Sequence, residues 1–298
     1  MCAFSQDSEV KAEEFEGDTN RPLPVMNFEC MANSGKKGEL FVEENFFSHQ
    51  KVSVRPVMAE FYLKVRQASK LDVPVLLVGE SGSGKNHTAK LIHKKSRKKT
   101  SDYFEININE INENLIESTL FGSVKGAFTG AEEKKGLFES ASEGTLFLDE
   151  IGDFPCDLQT KLFGFLDTGS FRKIGSTKTL TSDARLMFAT NANLYEKVRE
   201  GKFRRELYYR ISVFIIMVPP LREHKADITE IAEEFASANG KKISKDALEK
   251  LSAHSWPGNV RELKNCILRA CVYCDGDEIL KKDIVFDHEI FGRFAGGL

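Results

Sequence analysis

From Val52 the apolar positions fall at helical spacing, with Met58, Phe61, Val65 and Ala68 on one face. The pattern then changes to a short continuous apolar run at residues 73–78, as a buried strand would show. Helix-like and strand-like stretches go on alternating. Ala89, Leu91 and Ile92 mark a helix, and strands are predicted at residues 104–108, 145–148, 185–189 and 213–218. Such alternation predicts an α/β fold on a doubly wound parallel sheet. Pro219 and Pro220 close the last strand, and the period beyond them is helical. Ile228, Ile231 and Phe235, then Ala247, Leu248 and Leu251, then Val260, Leu263, Ile267 and Leu268 predict a small all-α subdomain. Trp256-Pro257-Gly258-Asn259 introduces its third helix and puts Arg261 in the first turn.

The expected divisions are therefore an N-terminal segment at 1–50, an α/β subdomain at 51–220, a helical subdomain at 221–285 and a flexible tail at 286–298. The first segment has no clear period. Its first twenty residues hold six acids against one lysine, which predicts partial disorder, with a short strand or two expected within residues 39–47.

Composition narrows the class. The 298 residues, 41% hydrophobic and 29% charged, suit a globular chain with a substantial core. A net charge of −3 argues against polyanion binding by the chain as a whole. No apolar run nears the roughly 18 residues of a membrane span, so no membrane association is expected. The start, Met1 to Asp7, lacks the basic residues and apolar core of a secretion signal. Six cysteines in a chain this long do not make a disulfide framework, and Cys271 and Cys274 fall on a predicted helix, where packing is the simpler role. Together these features place the chain in a reducing cytoplasm. The basic run at residues 94–99 closes a helix, where the dipole favours cations, and is not read as a DNA contact.

Three stretches carry chemistry. Gly79-Glu80-Ser81-Gly82-Ser83-Gly84-Lys85 follows a predicted strand and opens a helix, the context in which G-x-x-x-x-G-K cradles a triphosphate. Backbone N–H groups ring the phosphates, the helix N-terminus adds positive potential, and Lys85 reaches the terminal phosphates. Asn86 stands where Ser or Thr usually touches magnesium. The strand at 145–148 delivers Asp149 and Glu150 to the edge where parallel sheets bind ligands. Asp149 is the candidate Mg2+ ligand and Glu150 the group that polarises an attacking water. In Gly126-Ala127-Phe128-Thr129-Gly130-Ala131, glycines permit a tight tip that presents Phe128 as an isolated apolar contact. On the residues alone this tip is either an ordinary loop with a stray aromatic or a contact site.

With the phosphate loop, the Asp-Glu strand and the helical lid, this hexapeptide makes the chain resemble the AAA+ ATPase domain of bacterial enhancer-binding proteins, the activators of sigma-54 RNA polymerase. The resemblance runs from about Ser48 to Asp287 and includes residues 117–122, 144–152, 203–210 and 256–265. It implies a P-loop AAA+ fold, ATP hydrolysis with Mg2+, and contact of residues 126–131 with the sigma factor, mainly through Phe128 and Thr129. By the same resemblance Asn107 looks like the switch that holds Glu150 away until the loop is engaged. Asn191, with Thr190, looks like the first nucleotide sensor, and Arg261 like the second. Arg204 and Arg210 look like arginines supplied to a neighbouring subunit's γ-phosphate, which implies a homo-oligomer, in this family a hexameric ring. The implied partner is the sigma-54 RNA polymerase holoenzyme.

Two features depart from the family pattern. Asn86 replaces a usual Glu, and no helix-turn-helix for DNA is evident after the lid. Two functions therefore stay open: an ATP-hydrolysing activator, or an ATP-binding, weakly hydrolysing subunit that tunes rings of a complete paralogue.

Overall fold

The computed structural model describes residues 40–42, 52–54, 56–128 and 130–290. Most of the N-terminal segment, Thr129 and residues 291–298 lie outside the described residues. Leu40–Val42 of the first segment pairs antiparallel with Val52–Val54, just beyond it.

Five parallel strands form the central sheet: β1 (Val75–Val78), β2 (Tyr103–Asn107), β3 (Thr145–Asp149), β4 (Arg185–Thr190) and β5 (Phe214–Met217), in the spatial order β5-β1-β4-β3-β2. Strand β3 is buried along its whole length, so it reads in sequence as an unbroken apolar run and not as an alternation. Register sets Asn107 opposite Asp149, Thr190 opposite Val78, and Met217 opposite Val78. The strands' carboxyl ends thus line one edge.

Helices cover both faces: α1 (Pro56–Lys70), α2 (Lys85–Lys94), α3 (Glu113–Phe121), α4 (Cys156–Thr168) and α5 (Arg205–Ile211). Because strand side chains alternate, Leu76, Leu146, Leu148, Leu186 and Phe188 pack with Leu120, Leu158, Leu162 and Phe165 on one side. Val75, Leu77, Phe147, Met187 and Ile216 pack with Phe61, Val65, Ala89 and Ile92 on the other. Two layers of core hold the sheet rigid beneath its functional edge.

The lid comprises α6 (Ala226–Ser237), α7 (Lys245–Ala253) and α8 (Asn259–Tyr273), with a two-residue parallel bridge between Lys242–Ile243 and Glu278–Ile279. Its core centres on the fully buried Trp256, whose indole N–H donates to the Leu251 carbonyl at 2.9 Å. The tail expected from residue 286 onward does not begin there. Phe286 is buried in the lid and stacks on His254 at 4.1 Å, and residues 287–290 are helical. Among the described residues no helix is long and apolar enough to cross a membrane.

Candidate functional site

The loop after β1 is pinned on two sides. Gly79 N–H donates to the Thr190 carbonyl of β4, and Val260 N–H at the start of α8 donates to the Gly82 carbonyl. Gly82 is required there: its φ is +75°, and a Cβ would lie 2.5 Å from the Gly258 carbonyl oxygen. Gly84 takes φ +99° and opens α2. Lys85 is nearly fully buried, and its Nζ donates to the carbonyls of Gly79 (3.0 Å) and Glu80 (3.2 Å), with a Glu150 carboxylate oxygen 3.9 Å away. Burial depresses the Lys85 pKa, while Glu150 and Asp149 push it back up. The buried Ser83 hydroxyl has no hydrogen-bond partner among the described residues. A cationic amine resting on loop carbonyls, an unpartnered hydroxyl and a helix N-terminus together suit a polyphosphate.

Asp149 ends β3 nearly buried, and one carboxylate oxygen accepts the Glu150 N–H at 3.0 Å. Glu150 has φ 55°, a left-handed conformation costly for a side-chained residue and often retained at functional sites. Its carboxylate accepts the Asn191 N–H at 3.3 Å. Thr190 is fully buried beside it, its hydroxyl accepting the Ala192 N–H. Arg261 donates to the Ser81 hydroxyl at 2.7 Å. Lys85, Asp149, Glu150, Asn191 and Arg261 therefore converge from four parts of the chain. A cleft of about 780 Å³ opens beside them, lined by Glu80, Ser81, Asn191, Arg261, His254 and Glu262 among others.

Asn107 is at the same edge, but its contacts differ from the expected ones. Its side-chain N–H donates to Glu110 at 3.3 Å and its oxygen accepts the Asn109 N–H at 2.9 Å, capping a short 3-10 turn. Glu150 is held by Asn191 and lies near Lys85 instead. Asn86 donates to Glu105 on β2 at 2.5 Å, and Lys90 pairs with the other oxygen of that carboxylate at 2.7 Å. A carboxylate thus adjoins this turn of α2 through Glu105, which the motif alone does not predict.

Glu80 is also placed differently from a phosphate ligand. Its carboxylate is clamped by Arg222, bidentate at 2.8 and 2.6 Å, and by the Asn259 side-chain N–H at 3.0 Å. Asn259 is fully buried with φ 53°, and it also donates to the Ser81 carbonyl and accepts the Leu221 N–H. Arg222 and Asn259 thus join the lid to the phosphate loop alongside Val260 and Arg261, contacts to Glu80 that the sequence reading did not anticipate.

Arg204 and Arg210 do not join the cleft. Arg204 is exposed at the N-cap of α5. Arg210, also exposed, donates to the Leu166 carbonyl at 3.1 and 2.8 Å and lies 3.7 Å from Asp167.

The glycine-bounded hexapeptide stands at the far end of α3. From Asn107 the chain passes through the 3-10 turn Ile108–Glu110 and α3 into the strand pair Gly122–Ser123 with Lys134–Lys135. Gly126 and Gly130 take φ +82° and +80°, and Gly126 N–H to Ala131 O together with Ala131 N–H to Phe128 O closes the tip. Phe128 is 47% exposed, whereas Ala131 is buried. Ala127 packs on Gly175 of a neighbouring hairpin (Ser170–Arg172 with Thr179–Thr181), and Val124 N–H donates to Ile174 O. Thr129 lies outside the described residues.

Residues 30–217 match the sigma-54 interaction domain family, and residues 222–289 match the AAA+ ATPase lid domain. Nif-specific regulatory protein of Azospirillum brasilense is 42% identical over 266 residues, covering 83% of this chain and 42% of that protein. The protein of the same name from Klebsiella pneumoniae is 43% identical over 244 residues, covering 80% of this chain and 47% of its own length. The chain thus spans less than half the length of these curated relatives. Among solved structures, NtrX from Brucella abortus in complex with ATP superposes with a TM-score of 0.70 at 30% identity, over 80% of this chain and 56% of that one.

Proposed function

We propose, on the premise that this chain belongs to the sigma-54 interaction domain family of AAA+ ATPases, that it hydrolyses ATP to remodel the closed complex of sigma-54 RNA polymerase in the cytoplasm. The observation that carries this reading is the path from the nucleotide edge to Phe128. It runs from Asn107, the register partner of Asp149, through α3 to a glycine-bounded tip with an exposed aromatic.

The residues present fit a Mg·ATP site. Lys85 would leave the loop carbonyls for the terminal phosphates, and the phosphate charge would offset the burial that depresses its pKa. Asp149 would hold a Mg2+ ion, directly or through water, and that ion would supply positive charge against the phosphates. Glu150 would orient the attacking water and accept its proton. Asn191 holds that carboxylate in the present geometry, and exchange of Glu150 from Asn191 to Asn107 would couple nucleotide state to the start of α3.

Arg204 and Arg210, outside the chain's own cleft, would complete a neighbouring protomer's site, a contribution typically worth about 10³–10⁵ in rate. A ring follows from sites shared in this way, with Phe128 tips gathered on one face. Nothing in the site favours the weakly hydrolysing alternative, because both carboxylates and Lys85 converge regardless of Asn86.

Phe128→Ala tests the proposal. The residue is exposed, so stability should stay within about 0.5 kcal/mol and ATP turnover should persist. Open-complex formation at a sigma-54 promoter should be lost. Retained activation by Phe128→Ala, or absence of activation by the unaltered protein at any concentration, overturns it.

A further inference from the structure

Gln159 is a wholly buried polar side chain on the first turn of α4, next to the turn that leaves the Asp149-Glu150 strand. Its amide nitrogen donates to the Phe154 carbonyl at 3.0 Å and to the Lys202 carbonyl at 3.1 Å, and its oxygen accepts the Arg204 N–H at 2.7 Å. Three directed bonds to a buried amide fix its orientation. One partner closes the 3-10 turn Ile151–Asp153 that follows Glu150. The other two lie on the turn that carries Arg204.

The same two segments are tied again. Lys197 donates through Nζ to the Gly152 carbonyl (2.8 Å) and pairs with Asp153 (2.7 Å), while its own carbonyl accepts the N–H groups of Lys202 and Phe203. Phe203 is buried, and Gly201 supplies the left-handed turn at φ +73°. The backbone under Arg204 is therefore fixed to the exit of its own protomer's catalytic strand. The guanidinium itself stays on the surface.

We propose that Gln159 is a positioning residue for chemistry in trans: it aims Arg204 at a neighbouring protomer's ATP and makes that aim follow the Glu150 turn of its own site. The inference rests on the reading of Arg204 as an arginine supplied between protomers. An arginine that stabilises spread phosphoryl charge must already be in place, and displacement by about 1 Å can cost about 10²-fold in rate. Without the Gln159 amide, the Phe154 carbonyl and the Arg204 N–H lose their partner together, and the Lys202 carbonyl keeps only the Cys156 thiol. The Lys197 contacts alone then hold the turn, less tightly.

The test uses Gln159→Leu, and Gln159→Glu, which keeps an acceptor for Arg204 N–H but loses both donors. Each variant is compared with Arg204→Ala for fluorescent-ADP binding, for turnover at saturating ATP, and for turnover after mixing with Glu150→Gln protein, which has an intact arginine turn and no competent base. The expected result is ADP affinity within about 2-fold of the parent and turnover down about 10²-fold. Turnover should then recover on mixing, because Glu150→Gln protomers supply well-aimed arginines to the variant's intact sites. Unchanged turnover, failure of mixing to restore it, or loss of ADP binding in both Gln159 variants overturns the inference. If Arg204→Ala alone keeps full turnover, the arginine reading itself is wrong. If Arg204→Ala is rescued by mixing and the Gln159 variants are not, only the role of Gln159 falls.

Discussion

Glu80→Gln should loosen the lid from the phosphate loop without disturbing the sheet. The carboxylate accepts three N–H groups, two from Arg222 and one from Asn259, and these bonds hold its pKa down at about 2, the Arg222 hydrogen bonds contributing most. That shift overstates the energy, because both side chains of the ion pair are more than 40% exposed and water screens them; such a pair is worth about 0.5–1 kcal/mol. Asn259 is different. It shares one carboxylate oxygen with Arg222, so a glutamine that keeps its acceptor there turns its N–H against the other Arg222 donor, adding about 1 kcal/mol. The sum, about 1.5–2 kcal/mol, corresponds to a roughly 10- to 30-fold rise in lid opening. Amide hydrogen exchange reads it directly. Val260 N–H, bonded to Gly82 O, and Leu221 N–H, bonded to the Asn259 side chain, should lose protection by that factor. Leu148 and Phe188, paired within the sheet, should not change. The sign with pH follows from a folded pKa below the ordinary 4.5. The contribution is fully present above about pH 4.5 and lost as pH falls toward 2, so lid protection, corrected for intrinsic exchange, should be flat from pH 5 to 8. Unaltered protection at Val260 and Leu221, or a uniform loss across the sheet as well, refutes the reasoning.

Two further changes separate the parts of the site. Lys85→Ala should abolish nucleotide binding in a fluorescent-ADP titration, whereas Glu150→Ala should bind ADP nearly as tightly as the parent while its ATP turnover falls by about 10²–10⁴; retained turnover in Glu150→Ala would remove that residue from the chemistry. Asn86→Glu should set a second carboxylate against Glu105, where Asn86 now donates at 2.5 Å. With Lys90 offsetting part of the repulsion, the cost should be about 1 kcal/mol, or about 2–4 °C in melting temperature. Asn86→Glu combined with Glu105→Ala should recover that loss, and an Asn86→Glu protein as stable as the parent would contradict the contact.

The strand positions were legible because burial writes them as apolar runs, and local chemistry explains the misfit at their ends. The run at 73–78 shortens to Val75–Val78 because Pro74 has no N–H for the ladder. The run at 104–108 gives up Ile108 because the Asn107 side chain caps a 3-10 turn there. The convergence of Asp149, Glu150 and Asn191 was legible for the same reason: each sits at or just beyond the end of a readable strand, and parallel strands put those ends together. Lys85 is read from the loop motif that follows β1. The contacts of Glu80, Asn86 and Gln159 were not legible. Their partners Arg222, Asn259, Glu105 and Arg204 are 19 to 179 positions away in sequence, and no period links them. Phe286 stayed hidden for a similar reason, since an aromatic that stacks on His254 outside any helix leaves no repeat to read.

The contacts that sequence hides are also those that join moving parts. Strand ends fix where the phosphates go, but they cannot say how the lid, the arginine turn and the exposed tip respond. In each of these a side-chain amide whose hydrogen bonds are taken is one of the ties to the site. Asn259 ties the lid to Glu80 and Ser81, Gln159 ties Arg204 to the Glu150 turn, and Asn107 caps the turn that leads into α3. Amides suit this role, and those of Asn259 and Gln159 are fully buried. They are neutral, so they require no counter-charge on burial, yet they lose a definite partner when either segment shifts. A sheet with two packed faces cannot store a change in nucleotide state as gradual deformation. The change is therefore expressed where segments meet through such side chains, and the proposed link from ATP to the Phe128 tip depends on those junctions more than on the sheet.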